Sequence, residues 1–115
     1  QRQMCIRDRP QTVHYMTNGS LMSWQQEVLD QCWEGIRGYT YANLLRIQKE
    51  PGKSPMFTSI GEYGWDGWLG AYFCNSPKDR LTMLLTMQLK DAGTTSLTRR
   101  LKNAIWSELC GGRRE

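Results

Sequence analysis

A chain of 115 residues with a hydrophobic fraction of 39% is enough for one small globular domain, or a piece of a larger one, and excludes a second core. The net charge of +4 is concentrated at the two ends, in Arg2, Arg7 and Arg9 and in Arg113 and Arg114, so residues 10 to 112 carry an ordinary surface and no nucleic-acid partner is expected. No stretch approaches the roughly 18 to 20 consecutive apolar residues of a membrane span, so none is expected in this segment.

In chain order, residues 1 to 9 have no usable periodicity and resemble a translated sequencing adapter, so they are expected to be non-structural. Pro10 suits the first turn of a helix that Asn18-Gly19 ends. Ser23 and Gln26 read as a capping box, after which Trp24, Val28, Leu29, Cys32 and Trp33 recur at helical spacing until Gly35 and Gly38 stop the run. Tyr39 to Gln48 nearly alternates between apolar and polar residues and predicts a strand, and Pro51, Gly52 and Pro55 turn the chain back.

The next strand is the glycine-aromatic stretch Gly61 to Pro77, where glycines permit close approach of another backbone and tryptophans supply rigid surface. Leu81 to Leu89 is the clearest strand, with Leu81, Met83, Leu85, Met87 and Leu89 on one face. Thr94-Thr95-Ser96 offers caps to a final helix whose Leu97, Leu101, Ile105 and Leu109 fall four apart, which predicts that this stripe packs on the sheet and leaves Arg99, Arg100 and Lys102 wet. Residues 111 to 115 form a tail.

Chemistry-bearing residues are few. The cysteines at positions 5, 32, 74 and 110 lack both a CxxC spacing and a histidine partner other than His14, so no metal is expected, and Cys32 and Cys74 read as small buried hydrophobes. His14 reads as a surface residue, because no activated serine or orienting carboxylate is identifiable beside it.

Three pieces carry a family resemblance: Arg37 to Arg46, Gly61 to Phe73 with the following Pro77-Lys78, and Leu97 to Ile105. Together, over roughly residues 10 to 110, they resemble the C-terminal part of serine hydrolases of the β-lactamase and penicillin-binding-protein type, in particular the class C-like esterase branch. The resemblance implies an α/β fold of the α+β sandwich type, a partial β-lactamase or transpeptidase-like domain with N-terminal helical segments, a three-stranded antiparallel meander and a packed C-terminal helix.

In that family a Ser-x-x-Lys nucleophile, a Tyr-x-Asn or Ser-x-Asn element and a Lys-Thr-Gly triplet build the site, and the esterase-like branch often has His-Thr-Gly or Trp-Gly-Gly in the third position. The resemblance makes Trp65-Asp66-Gly67 the substrate-binding counterpart of that triplet, and the main-chain N–H of Trp68 the donor to the developing oxyanion. Asp66, if ionised, repels a substrate carboxylate, which favours a neutral small-molecule ester or amide. No serine of this chain has a lysine three residues on, so the nucleophile is absent and the chain alone is expected to be inactive. Tyr41-Ala42-Asn43 spells the second motif in the wrong context and is read as coincidence. No cofactor is implied. The alternative is a non-catalytic relative that keeps the cleft for binding or assembly.

Overall fold

The computed structural model describes residues 9–110. Of the adapter-like residues 1 to 9, 1 to 8 lie outside the described residues, as does the tail 111–115, whereas Arg9 caps the first helix, its carbonyl accepting the Thr12 and Val13 N–H groups at 2.9 and 3.1 Å. Helix α1 spans Pro10–Thr17, with proline in its first turn, where the missing N–H costs no helical bond. Helix α2 spans Ser23–Cys32, and its cap lies one residue away from the expected box: the Met22 N–H donates to Gln25 Oε1 at 3.0 Å. Gln26 is thereby free for tertiary work, donating to Asp30 Oδ1 at 3.0 Å and to the Tyr39 carbonyl at 2.9 Å. A 3-10 turn at Glu34–Ile36 follows, and Gly38, at φ +85, redirects the chain into the sheet.

Among the described residues the sheet has five strands where three are expected from sequence, all antiparallel in the order of the chain: β1 Tyr39–Ala42, β2 Leu45–Gln48, β3 Tyr63–Asp66, β4 Tyr72–Ser76 and β5 Leu81–Leu85. The molecule is therefore of the α+β class, with a longer meander than predicted. Two of the predicted strands are in fact hairpins. Tyr39 to Gln48 folds back at Asn43 and Leu44, whose φ values of 50 and 65 are those of a two-residue hairpin turn that matches strand twist. The glycine-aromatic stretch folds back between Asp66 and Tyr72, where the Gly67 N–H donates to Ala71 O at 2.7 Å and the Gly70 N–H to Gly67 O at 2.9 Å.

The strand predicted to reach Leu89 stops at Leu85, because the chain beyond it crosses to the turn and the Leu89 N–H donates to Leu69 O at 2.9 Å. Within β5 the expected inward set holds: Met83 is buried and Leu81 and Leu85 pack against it, while Thr82 and Leu84 face out. The β4–β5 turn is fastened by Asp79, which accepts from Ser76 Oγ at 2.6 Å, Ser59 Oγ at 3.0 Å and Trp106 Nε1 at 3.1 Å. Burial pushes the Asp79 carboxyl up, but these donors outweigh it and hold the group below the usual carboxylate range.

Helix α3, Ser96–Cys110, starts where the threonines predict, with Thr95 Oγ1 accepting from the Thr98 N–H at 3.2 Å. Its packed face is not the predicted one. Leu97 and Leu109 are more than half exposed, whereas Thr98, Lys102 and Trp106, one position on, are buried against the sheet. Trp106 joins Tyr72, Cys74 and Met83 in one core cluster, and Ile36, Tyr39 and Met56 form a second, with Leu29 against it. Cys74 is buried as expected, and burial raises its thiol pKa, but Cys32 is exposed at the end of α2.

Candidate active-site cleft

The triplet stands where β3 outlasts its neighbour. On the β2 side the register is Ile47 with Tyr63 and Arg46 with Gly64 and goes no further, whereas on the β4 side it continues to Trp65 with Phe73 and Asp66 with Tyr72. Trp65, Asp66 and Gly67 thus have a strand on one flank only. The glycine turn then carries Trp68 into solvent, where its indole N–H donates to the Asp91 carboxylate and Lys90 Nζ sits 5.9 Å from the ring centroid.

The main-chain bonding of this turn is asymmetric. The Gly67 and Gly70 N–H groups are spent inside the turn, and the Trp68 carbonyl accepts the Ala92 N–H at 3.1 Å. The Trp68 N–H donates to no protein group among the described residues. All four residues singled out by the resemblance, Trp65, Asp66, Gly67 and Trp68, line one cleft of about 570 Å³, together with Trp33 to Ile36 and Asp91 to Thr94. The Thr94 hydroxyl in that lining is buried and has no hydrogen-bond partner among the described residues.

Asp66 does not present a free charge to the cleft. Its Oδ1 lies 2.8 Å from Nη1 of Arg46, which is 1% exposed, so the carboxylate is compensated from within the sheet. Arg46 also donates through Nη2 to the Phe73 carbonyl at 3.3 Å, and its guanidinium carbon stands 4.4 Å from the Tyr72 ring centroid and 5.5 Å from that of Tyr39. Charge is therefore removed from water and matched in place, the condition on which a buried ion is tolerated.

No protein family, curated protein or solved structure matches the chain.

A second charged group was not legible in the sequence. Lys102, predicted to be solvated, is fully buried, with Nζ 2.5 and 2.7 Å from the two Glu62 oxygens and 3.2 Å from Tyr39 Oη. Tyr39 donates to Glu62 Oε1 at 2.8 Å and Thr58 to Glu62 Oε2 at 2.7 Å, which completes the carboxylate's bonding. Burial pushes the Lys102 pKa down against the upward pull of Glu62, and burial followed by the Glu62 charge pushes the Tyr39 phenol up. The cluster is closed to solvent and ties α3 to the sheet, so it is a brace, not a place where substrate enters.

The remaining candidates lie apart from the triplet. Asn43 sits in the β1–β2 turn and donates through Nδ2 to the Tyr15 carbonyl at 3.1 Å, so the Tyr-x-Asn string forms a hairpin end. His14 is exposed on α1 with Asn18 as its neighbour at 3.3 Å. A separate groove of about 610 Å³ between Phe57 and Trp106 holds Asp79, whose carboxylate is already committed to three donors. Among the described residues no three metal-ligating side chains converge, and no helix is long and apolar enough to cross a membrane.

Proposed function

We propose that this chain is the C-terminal portion of a serine hydrolase of the β-lactamase-related type, and that it contributes the oxyanion strand of an acyl-transfer site. One observation carries the reading: a strand end flanked on one side only leads into a glycine turn whose next residue, Trp68, lines a 570 Å³ cleft and has a main-chain N–H that bonds to no protein group among the described residues. Acyl transfer needs a donor aimed where negative charge develops and a strand edge along which an acyl group can lie. The glycine at position 67 keeps that approach free of a side chain.

In the parent enzyme a Ser-x-x-Lys serine supplied by another part of the chain attacks the ester or amide carbonyl. The leaving group departs to give an acyl-enzyme, and water releases the acid. This chain's part is to hold the carbonyl oxygen and line the cleft. The substrate is a neutral small-molecule ester or amide, because Arg46 is buried and matched by Asp66 and so offers no free cation to a substrate carboxylate.

The test is Trp68→Pro in the full-length parent, set against Trp68→Phe. Loss of one oxyanion donor lowers kcat by about 100- to 1,000-fold, and the proline variant is expected to show this while the phenylalanine variant keeps most activity. Equal activity of the two variants contradicts the assignment.

A further inference from the structure

Behind Trp65 the cleft has a neighbour. A pocket of about 300 Å³ is lined by Leu29, Trp33, Ile36, Tyr41, Trp65, Arg46 and Thr40, whose hydroxyl oxygen already accepts from the Leu21 N–H at 2.9 Å, and it shares Trp33, Ile36 and Trp65 with the cleft. Its walls are almost wholly apolar, and the Tyr41 and Trp65 rings meet there at 5.0 Å with a tilt of 56°. The uncommitted polar group is that of Arg46, 1% exposed, whose Nε–H has no hydrogen-bond partner among the described residues although its two terminal nitrogens are used. A buried charged donor left unpaired is costly, and a structure tolerates it where another molecule supplies the acceptor.

We propose that this pocket is a subsite for a ring-bearing group of the ligand that carries one hydrogen-bond acceptor, an aryl ketone or aryl ether for example. Size favours it: a dry cavity of roughly 150 Å³ holds a benzene ring, so the space here takes a ring with a short polar substituent. Chemistry favours it as well, since tilted aromatic walls receive a ring edge or face, and Arg46 provides one polar contact to fix its orientation. The proposal deepens the acyl-transfer reading, on which its role as a substrate subsite rests: the cleft holds the reacting carbonyl and the pocket selects an aromatic substituent of the same molecule.

The test uses the 115-residue chain labelled with ¹⁵N and three small probes. Acetophenone has ring and acceptor, toluene has the ring alone and acetone has the acceptor alone. Acetophenone is expected to shift the Trp33 and Trp65 indole resonances and the Arg46 Nε resonance saturably, toluene to bind about ten-fold more weakly, and acetone to leave all three unmoved. Trp33→Ala is expected to abolish the response without moving the thermal transition, because Trp33 is more than half exposed and outside the core clusters. Absence of saturable shifts at these residues, or equal binding of toluene and acetophenone, overturns the proposal.

The two readings fail separately. Saturable acetophenone binding with a parent that acylates no serine leaves the pocket standing and removes its catalytic context. A parent that hydrolyses acetyl and phenylacetyl esters equally well overturns the subsite and leaves the acyl-transfer reading intact.

Discussion

Removing the Lys102 ammonium is the sharpest perturbation of this fold. In Lys102→Met the Glu62 carboxylate keeps the hydroxyl donors of Tyr39 and Thr58 but loses its counter-charge at a site with 0% side-chain exposure. Breaking a buried pair in this way costs about 3–5 kcal/mol. For a domain whose total stability is of the order of 5–15 kcal/mol, that is at least about a fifth of the whole. Glu62→Gln alone leaves the opposite orphan, a buried ammonium, and carries a similar cost.

The double variant removes both charges and leaves a neutral amide among hydroxyl donors, so it is expected to be more stable than either single variant. Urea unfolding of all four proteins gives a coupling energy, expected to be about 2 kcal/mol or more. Additive costs to within about 0.5 kcal/mol, or a Lys102→Met cost below about 1 kcal/mol, refute the closed brace. In either case Lys102 is solvated, as the sequence alone suggests.

Three further outcomes follow from the packing. Leu97→Lys and Leu109→Lys are each expected to cost less than about 0.5 kcal/mol in urea unfolding, whereas Trp106→Ala costs about 3–5 kcal/mol, and the reverse order contradicts the observed helix face. Tyr72→Phe is expected to be within about 1 kcal/mol of wild type at pH 7, because the buried hydroxyl has no hydrogen-bond partner among the described residues.

The same variant flattens the alkaline limb. Burial holds the Tyr72 and Tyr39 phenols above their ordinary value, so stability is complete below about pH 10 and falls above it, by about 1.4 kcal/mol per pH unit for each phenol that ionises only when unfolded. Lys102, held below its ordinary value, acts in the opposite sense as the pH rises towards about 10.5. An alkaline slope unchanged by Tyr72→Phe contradicts the burial of that phenol. Gly70→Ala is expected to destabilise by about 1–3 kcal/mol in the same assay, because Gly70 is at φ +85 and an added Cβ meets Met87 Sδ at 2.5 Å.

What the sequence made legible is what local chemistry controls. Pro10, Asn18-Gly19 and the threonines before Ser96 bound their helices, and the alternation of Leu81, Met83 and Leu85 set the inner face of β5. The misses have physical causes. The β1–β2 turn is built from Asn43 and Leu44 with no glycine, so its left-handed backbone leaves no compositional mark and the two strands read as one. The glycines at 67 and 70 were visible, but a glycine-rich strand and a glycine turn look alike until pairing is known.

The face of α3 was decided by an ion pair 40 residues apart in sequence, which turns the helix by one position from its leucine stripe. No local pattern distinguishes a lysine destined for Glu62 from one in water. The triplet was legible only through resemblance, and the uncommitted Trp68 N–H and the compensation of Asp66 by Arg46 needed coordinates.

The central claim is that this chain completes an acyl-transfer site, and the most direct measurement is covalent. The reading frame upstream should be recovered, the parent expressed and treated with a fluorophosphonate, and the adduct located by peptide mass. Labelling of the serine of a Ser-x-x-Lys, in a parent that then loses ester hydrolysis, is the predicted result. A parent without that motif, or one whose hydrolysis survives replacement of the labelled serine by alanine, contradicts the account.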